Sequence, residues 1–366
     1  MESERLKAVG FLREMTAILA PSGAEEPMID YMRNAFRGAG TAVRVDPLGN
    51  VVACVRQEQH GEPVLMILAH MDQVGLVVRK IEPTGFLRVY RLGGIPEKSL
   101  ACQRVIVLGN AGPVSGLIGT KAHHVTKPEE KYHVVPVEEI YIDISRTNTD
   151  DVAQVGVNVG NYVIYEPRFY LDGDLVQATS LDNRAGCTAL VMLAERLAGR
   201  SLSAGIYLVG SVQEEFNLRG ILPAVRSIKP TAAVAVDIAV TNDTPDLNHL
   251  GDLRLGGGPA VSFFSFHGRG ELNGVLPNPK LSRFVLDMAT KQAIPVQRTT
   301  IFGGLTDAAY VQLEGQGVPS IEIGIPARYS HAPIEACAVS DVIKTVDLLE
   351  AVVAGFTSDL NLSRGS

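Results

Sequence analysis

The feature of this sequence that most constrains its fold is a set of apolar segments of strand length. Residues 64–68 are continuously apolar, which is typical of a strand buried on both faces of a mostly parallel sheet. Two further apolar segments of strand length, residues 205–212 and 232–236, occur in the second half of the chain. Sheets of this kind are covered by helices on both faces, so the sequence predicts an α/β fold.

Helical patterns occur near both ends of the chain. Apolar residues recur at helical spacing over residues 6–19, and a second helix is predicted after the turn at residues 21–23. Further helices are predicted from about Ala185 to Leu197 and from an N-cap at Ser340 through Val353. Together with the strands, these patterns indicate a mixed sheet sandwiched between helices.

The segment between about residues 74 and 172 has a different pattern. Short alternating stretches, such as residues 86–90 and 104–108, are separated by Gly and Pro, and helical periodicity is nearly absent. This pattern is typical of a small β-barrel or sandwich. The sequence therefore predicts one domain from residues 1–73 and 173–366, with a β-rich domain inserted at residues 74–172.

Charge and composition argue against several classes of protein. The chain has 33 basic and 40 acidic residues, and this balance does not favour binding to a nucleic acid. No apolar run approaches the roughly 18 residues of a membrane-spanning helix, so no membrane partner is expected. The first residues are acidic and lack a signal pattern, and the four cysteines lack a disulfide spacing. We therefore expect an enzyme of the reducing cytoplasm.

Acidic and imidazole side chains follow the predicted strands at their ends, where open α/β sheets bind ligands. Others open the helix after the insertion and lie in the loop that follows the apolar run 320–325. The set comprises His70, Asp72, Asp182, Glu214, Glu215, Asp237 and His331. Imidazole nitrogen and carboxylate oxygen are ligands that Zn²⁺ accepts, so the set predicts a metal site.

The carboxylates in this set suit two divalent cations. Asp182, Glu215, Asp237 and a bridging hydroxide would balance the charge of two such ions, which in paired sites activate a nucleophile together. Glu214 is then left as an unligated carboxylate beside the metals. That is the position of a general base.

His70 and Asp72 form a further pair. Their i+2 spacing on extended backbone directs both side chains to one side, so Asp72 is placed to hold the second imidazole nitrogen. Each residue also has a plain structural interpretation when taken alone. Asp182 suits a helix cap, His331 a surface position, and adjacent glutamates a solvated loop. Their joint occurrence at strand ends is what favours the metal site.

The segments that carry these residues also occur in a characteristic order. They are residues 69–72, 180–186, 213–215, 236–237 and 324–333, together with 116–121 and 141–144 in the insertion. Taken together they resemble the co-catalytic dinuclear metallo-aminopeptidases. The specific family is that of the glutamyl and deblocking aminopeptidases that form tetrahedral particles. The resemblance covers essentially the whole chain.

This resemblance implies a zinc-exopeptidase-like fold and a role for each residue. The implied metal ligands are His70, Asp182, Glu215, Asp237 and His331. Asp182 would bridge the two ions, with one His and one acid completing each site, and its peptide bond to Asn183 would be cis. Glu214 would take a proton from the bridging water and pass it to the leaving amine, and Asp72 would orient His70. Two Zn²⁺ ions are expected, with Co²⁺ or Mn²⁺ as alternatives.

The implied activity is the removal of N-terminal residues from short peptides. The inserted domain is implied to form dimers that assemble into a homo-oligomer, a dodecamer. Two other activities stay open on sequence alone. One is a related metal-dependent amidohydrolase or deacylase acting on N-acyl amino acids, and the other is a glycosidase, whose paired carboxylates would need no metal. A protein with a decayed site that only binds peptides or metal is a third alternative.

Overall fold

The structure is a computed structural model, and it describes residues 2–268 and 274–365. The helices of this part of the chain are α1 (Glu2–Thr16), α2 (Glu26–Gly38), α3 (Thr149–Gln154), α4 (Leu181–Leu197), α5 (Leu222–Ile228), α6 (Pro279–Lys291), α7 (Ala308–Val311) and α8 (Val339–Gly355). The strands of the first half are β1 (Ala42–Val45), β2 (Val51–Arg56), β3 (Val64–His70), β4 (Gly75–Ile81), β5 (Leu87–Leu92), β6 (Arg104–Gly109), β7 (Gly112–Ile118), β8 (Tyr141–Asp143), β9 (Tyr162–Tyr165), β10 (Phe169–Asp172) and β11 (Leu175–Ala178). Those of the second half are β12 (Gly205–Ser211), β13 (Ala232–Val240), β14 (Ala260–Phe266), β15 (Gly274–Val275), β16 (Gln297–Phe302), β17 (Ser320–Arg328) and β18 (Glu335–Ala338).

A large mixed sheet forms the centre of the molecule. Its order is β1-β2-β12-β3-β13-β17-β18-β11-β10, and β14 joins it through β17 and also pairs with β15 and β16. The four neighbours β12, β3, β13 and β17 run parallel, and β3 and β12 are buried along their whole length. The predicted α/β fold with a mixed sheet is therefore confirmed. Because these four strands are parallel, their carboxyl ends meet at one edge of the sheet.

A closed barrel of six strands lies between β3 and α4 in the sequence. Its order is β4-β5-β8-β7-β6-β9, with antiparallel neighbours throughout, and it lies within the predicted insertion. Buried Val, Ile and Leu side chains fill its interior, among them Val89, Val107 and Ile142. Closure pairs every strand of the barrel, so that it has no open edge. The division of the chain at residues 73/74 and 172/173 stays a prediction.

The long helix α4 positions the start of the site. Almost all of its residues are buried, and it packs against α1 and α8 and against the strands below. Asp182 and Asn183 in its first turn have non-helical dihedral angles, and the peptide bond between them is cis, as the resemblance implies. Asp182 lies at the end of α4 that faces His70 of β3 and Asp237 of β13.

Helix α8 begins differently from its prediction. The predicted N-cap at Ser340 is wrong, because the helix already begins at Val339, directly after β18. The Ser340 hydroxyl instead donates to Asp174 Oδ2 at 2.5 Å, in the turn between β10 and β11. Among residues 2–268 and 274–365, no helix combines the length and the apolar character needed to cross a membrane.

Candidate metal centre

The parallel strands bring the predicted residues to one edge of the sheet. His70 is the last residue of β3, and Asp237 lies within β13, three residues before its end. Glu214 and Glu215 follow β12, and His331 follows β17. Each side chain therefore lies in a strand of the sheet or within a few residues after one, which restricts its position.

The first group of donor atoms surrounds His70. Its Nε2 lies 3.1 Å from Asp182 Oδ1 and 3.6 Å from Asp237 Oδ1. Donor atoms of these three buried residues all lie within 4.8 Å of one another. One imidazole and two carboxylates thus converge on a single point.

The second group surrounds His331. Its Nε2 lies 3.2 Å from Glu215 Oε1 and 3.4 Å from Asp182 Oδ2. Donor atoms of these three residues also lie within 4.8 Å of one another. Asp182 belongs to both groups, and its two oxygens face different imidazoles. Because the Asp182 side chain faces these two imidazoles, the interpretation of Asp182 as a helix cap does not hold.

Glu214 lies beside both groups. Its Oε2 is 3.9 Å from His70 Nε2, farther than the oxygens of Asp182 and Asp237. Donor atoms of His70, Glu214 and Glu215 form a third set within 4.8 Å. The side chain of Glu214 is thus close to both donor groups.

Carboxylates outnumber cations around these imidazoles. Asp182, Glu214 and Asp237 are 6–8% exposed, and burying unpaired carboxylates is costly. The fully buried guanidinium of Arg184 donates to main-chain carbonyls and to Gln73 Oε1, and no hydrogen bond joins it to these acids. The excess negative charge and the nitrogen and oxygen donors fit a pair of divalent cations such as Zn²⁺.

The crowded charges shift the pKa values of the group. Burial raises the pKa of Asp237 to about 6 and raises the pKa of Glu214 well above its ordinary value. Burial would also raise the pKa of Asp182, but the imidazoles of His331 and His70 hold it well below its usual range. Burial lowers the pKa of His70, but the carboxylates of Glu214 and Asp237 outweigh it and raise that pKa well above its ordinary value. Carboxyl and imidazole groups with raised pKa values hold protons, and binding of a metal to such groups releases these protons.

Asp72 lies behind the site and contacts more than the predicted imidazole. Its main-chain oxygen is 3.2 Å and its Oδ1 3.4 Å from His70 Nδ1. Its Oδ1 also accepts the Glu214 N–H and its Oδ2 the Glu215 N–H, each at 3.0 Å. Its predicted role in orienting His70 stays a prediction, while its bonds to the two amides were not foreseen.

Sequence reasoning missed Glu335. This residue is 2% exposed, and its Oε2 accepts the Asp182 N–H at 2.8 Å while its Oε1 accepts the His331 N–H at 2.6 Å. His331 has a φ of 65°, which few non-glycine residues adopt. One signal was available, because Glu335 opens a short strand of small apolar residues, where a carboxylate needs partners.

A cavity of about 1140 Å³ opens over the two donor groups. Its walls combine apolar side chains, such as Leu250 and Phe302, with the charged side chains of Arg91, Asp252 and Arg298. A cavity with this mixture of polar and apolar walls is typical of a binding site for a small ligand. The site is thus a buried cluster of metal-type donors at the base of an open cavity.

Comparison with known proteins identifies the family of the chain. The family model described as M42 glutamyl aminopeptidase matches residues 49–348, so the chain belongs to that family. The SgcX protein of Escherichia coli (strain K12) is 41% identical over 334 residues, which cover 91% of this chain and 90% of that protein. The structure of an aminopeptidase from the archaeon Desulfurococcus kamchatkensis superposes with a TM-score of 0.89 at 31% identity, covering 96% of this chain and 95% of that one.

A further solved structure is that of the Pyrococcus horikoshii TET1 peptidase, which can assemble into a tetrahedron or a large octahedral shell. It superposes with a TM-score of 0.83 at 26% identity, and the match covers 95% of this chain and 99% of that one. The similarity extends over nearly the whole length of both chains, so it includes the barrel as well as the large sheet.

Proposed function

We propose that this member of the M42 family is a metal-dependent aminopeptidase that removes N-terminal residues from short peptides. The observation that carries the proposal is the position of Asp182, whose two carboxylate oxygens face the imidazoles of His70 and His331. A carboxylate shared by two donor groups can hold two neighbouring cations, which in paired sites activate a nucleophile together. The four free cysteines, with no disulfide among them, support the cytoplasm as the site of action.

The five candidate ligands would divide between two cations. His70 and Asp237 would complete one site and Glu215 and His331 the other, with Asp182 common to both. Zn²⁺ is the expected metal, and Co²⁺ and Mn²⁺ accept the same ligand types. When bound, such a pair polarises a scissile carbonyl and lowers the pKa of a water molecule.

Glu214 would serve as the general base and acid. Burial raises the pKa of its carboxyl well above the ordinary value, which is the direction that favours uptake of a proton from water. Its carboxylate would take a proton from the attacking water and later give it to the leaving amine. Its main-chain N–H donates to Asp72 Oδ1, so the backbone that carries the side chain is fixed.

The substitution Glu214→Gln tests this role. Glutamine keeps the size of the side chain but cannot take the proton, so kcat should fall by about 10²–10⁴ while both metal ions are retained. Metal analysis of the purified variant and hydrolysis of aminoacyl anilides measure the two effects. The adjacent Glu215→Gln is the matched control, and it should lower the metal content. A Glu214→Gln enzyme that works at nearly the parent rate would contradict the assignment.

A substrate panel separates this activity from the alternatives. Aminoacyl anilides carry a free amine, whereas N-acyl amino acids do not, so the ratio of the two rates distinguishes an aminopeptidase from a deacylase. Carbohydrate hydrolysis that survives a chelator would instead indicate a glycosidase. We expect turnover of the anilides, and its loss on chelation.

We also propose that the chain forms a homo-oligomer of dimers, up to a dodecamer. The TET1 peptidase, which shares the fold over nearly its whole length, assembles into closed shells. The barrel is proposed as the dimerisation module. Several large apolar side chains in the segment between β7 and β8 are exposed, among them Val125 and Tyr132, and exposed apolar surface of this kind is typical of an interface.

A further inference from the structure

The turn that carries Glu214 has an unusual backbone. Gln213, directly before it, has a φ of 55°, a left-handed conformation that few residues other than glycine adopt. Asn217 and Leu218, at the other end of the turn, also have positive φ angles of 74° and 57°. A backbone of this kind persists only where the surrounding structure holds it.

Three consecutive main-chain amides of this turn bind buried carboxylates. The Glu214 and Glu215 N–H groups donate to Asp72, as described above. The Gln213 N–H donates to Glu25 Oε1 at 3.0 Å. Hydrogen bonds from N–H groups to a carboxylate are stronger than those between neutral groups, so the two acids hold the turn firmly.

Glu25 reaches this turn from a distant part of the chain. It lies 188 residues before Gln213, directly before α2, and it is 5% exposed. In the same connector between α1 and α2, the Ser22 hydroxyl donates to Asp72 Oδ2 at 2.6 Å. The connector is thus linked to both carboxylates that hold the turn. Its Ser22 donates to Asp72, and Glu25 is itself a residue of the connector.

The connector is itself fixed to the end of β3. The Ser22 N–H donates to the Gln73 carbonyl, and the Gln73 N–H donates to the Ala20 carbonyl. The fully buried guanidinium of Arg184 donates to the carbonyl of Met15 at the end of α1 and to Gln73 Oε1. Glu25 therefore presents its carboxylate from a rigid support.

We propose that Glu25 is a positioning residue for the general base. Its carboxylate holds the Gln213 amide and so keeps that residue left-handed, which aims the side chain of Glu214 between the two donor groups. The inference rests on the proposed function of Glu214. Glu25 belongs neither to the donor groups nor to the residues that line the cavity, so we expect it to act on catalysis through the turn.

Two substitutions of Glu25 test the proposal. Glu25→Ala removes both carboxylate oxygens, which the N–H groups of Gly23 and Gln213 share, whereas Glu25→Gln keeps one amide oxygen that can accept the Gln213 N–H. We expect Glu25→Ala to lower kcat at least tenfold on an aminoacyl anilide, with KM changed less than twofold and the metal content of the parent. Glu25→Gln should recover kcat to within about threefold of the parent. Glu26→Ala is the matched control, because Glu26 is the exposed neighbour at the start of α2, and it should behave as the parent.

Hydrogen exchange of the main-chain amides gives a readout that does not depend on activity. Amides of residues 211–219 should exchange faster in Glu25→Ala than in Glu25→Gln. A Glu25→Ala enzyme with kcat within twofold of the parent would overturn the proposal, and so would equal losses of kcat in both variants. If parent, Glu25→Gln and Glu26→Ala all lack aminopeptidase activity, the proposed function is wrong. The exchange rates then decide separately whether Glu25 holds the turn.

Discussion

At the residue scale, five of the carboxylates at the candidate site divide into two groups with different partners. Asp182, Asp237 and Glu215 present oxygens to the imidazoles of the site. Asp72 and Glu335 instead accept main-chain N–H groups of the residues that carry those side chains. Asp72 and Glu335 thus fix the main chain of residues whose side chains form the site. Partners of ligands commonly influence metal affinity in this way.

The substitution Glu335→Gln tests that division. The glutamine amide has only one acceptor oxygen, so its NH₂ group would face the N–H of either Asp182 or His331. We expect the affinity for metal to fall about 10–100-fold, measured by competition with a chelator. Glu322→Gln is the control, because Glu322 is a buried acid of β17 whose partners are the hydroxyls of Ser265 and Thr306, which can also accept. Unchanged metal affinity in Glu335→Gln would show that the two amides do not need this carboxylate.

At the element scale, the strands with the strongest apolar patterns could be predicted and their order could not. The run at residues 64–68 became β3, which is buried throughout, and the barrel lies within the segment of short alternating stretches. The neighbours of β3, however, are β12 and β13, which lie far along the chain. Apolar periodicity reports the burial of a strand but carries no information about which strand pairs with it.

The candidate site was predictable for a related reason. Acids and imidazoles at the ends of apolar strands are visible in a sequence, and parallel strands bring such ends together. His70 and Asp182 meet although they are 112 residues apart. The carboxylates that bind main-chain amides, such as Glu25 and Glu335, were missed because their partners are backbone groups, which every residue type except proline offers.

At the scale of the whole molecule, assembly is the property that the fold suggests most directly. The solution mass from light scattering coupled to size exclusion should greatly exceed the 39.2 kDa of one chain. It should not change on tenfold dilution, as expected of a permanent assembly, whose interfaces are typically large and apolar. A particle with the mass of a single chain at both concentrations would contradict the proposed oligomer.

The stability of the whole chain should also depend on pH in a way that metal alters. Burial raises the pKa of Asp237 to about 6, that of Glu25 to about 7, that of Asp307 to about 7 and that of Glu335 to about 8. In an unfolded chain such carboxyls titrate near pH 4. Between about pH 4.5 and 8, the folded chain therefore binds more protons than the unfolded chain at these groups, and its free energy of unfolding falls as pH rises. The pKa of Asp182 is lowered instead, so this residue changes the free energy of unfolding only at pH values below this range.

We therefore expect the Tm of chelator-treated protein to fall by several degrees between pH 5 and pH 8. Protein loaded with Zn²⁺ should show a smaller fall, because the cations replace protons at the site and bind the ionised carboxylates. The gain in Tm on adding metal should then be larger at pH 8 than at pH 5, and scanning fluorimetry of both forms over this range measures it. Buffer containing Mg²⁺ in place of Zn²⁺ is the control for general ionic effects, since Mg²⁺ is seldom held by imidazole. A Tm of the chelated protein that rises over this interval would mean that these carboxyls are ionised in the fold without cost, which their burial among like charges contradicts.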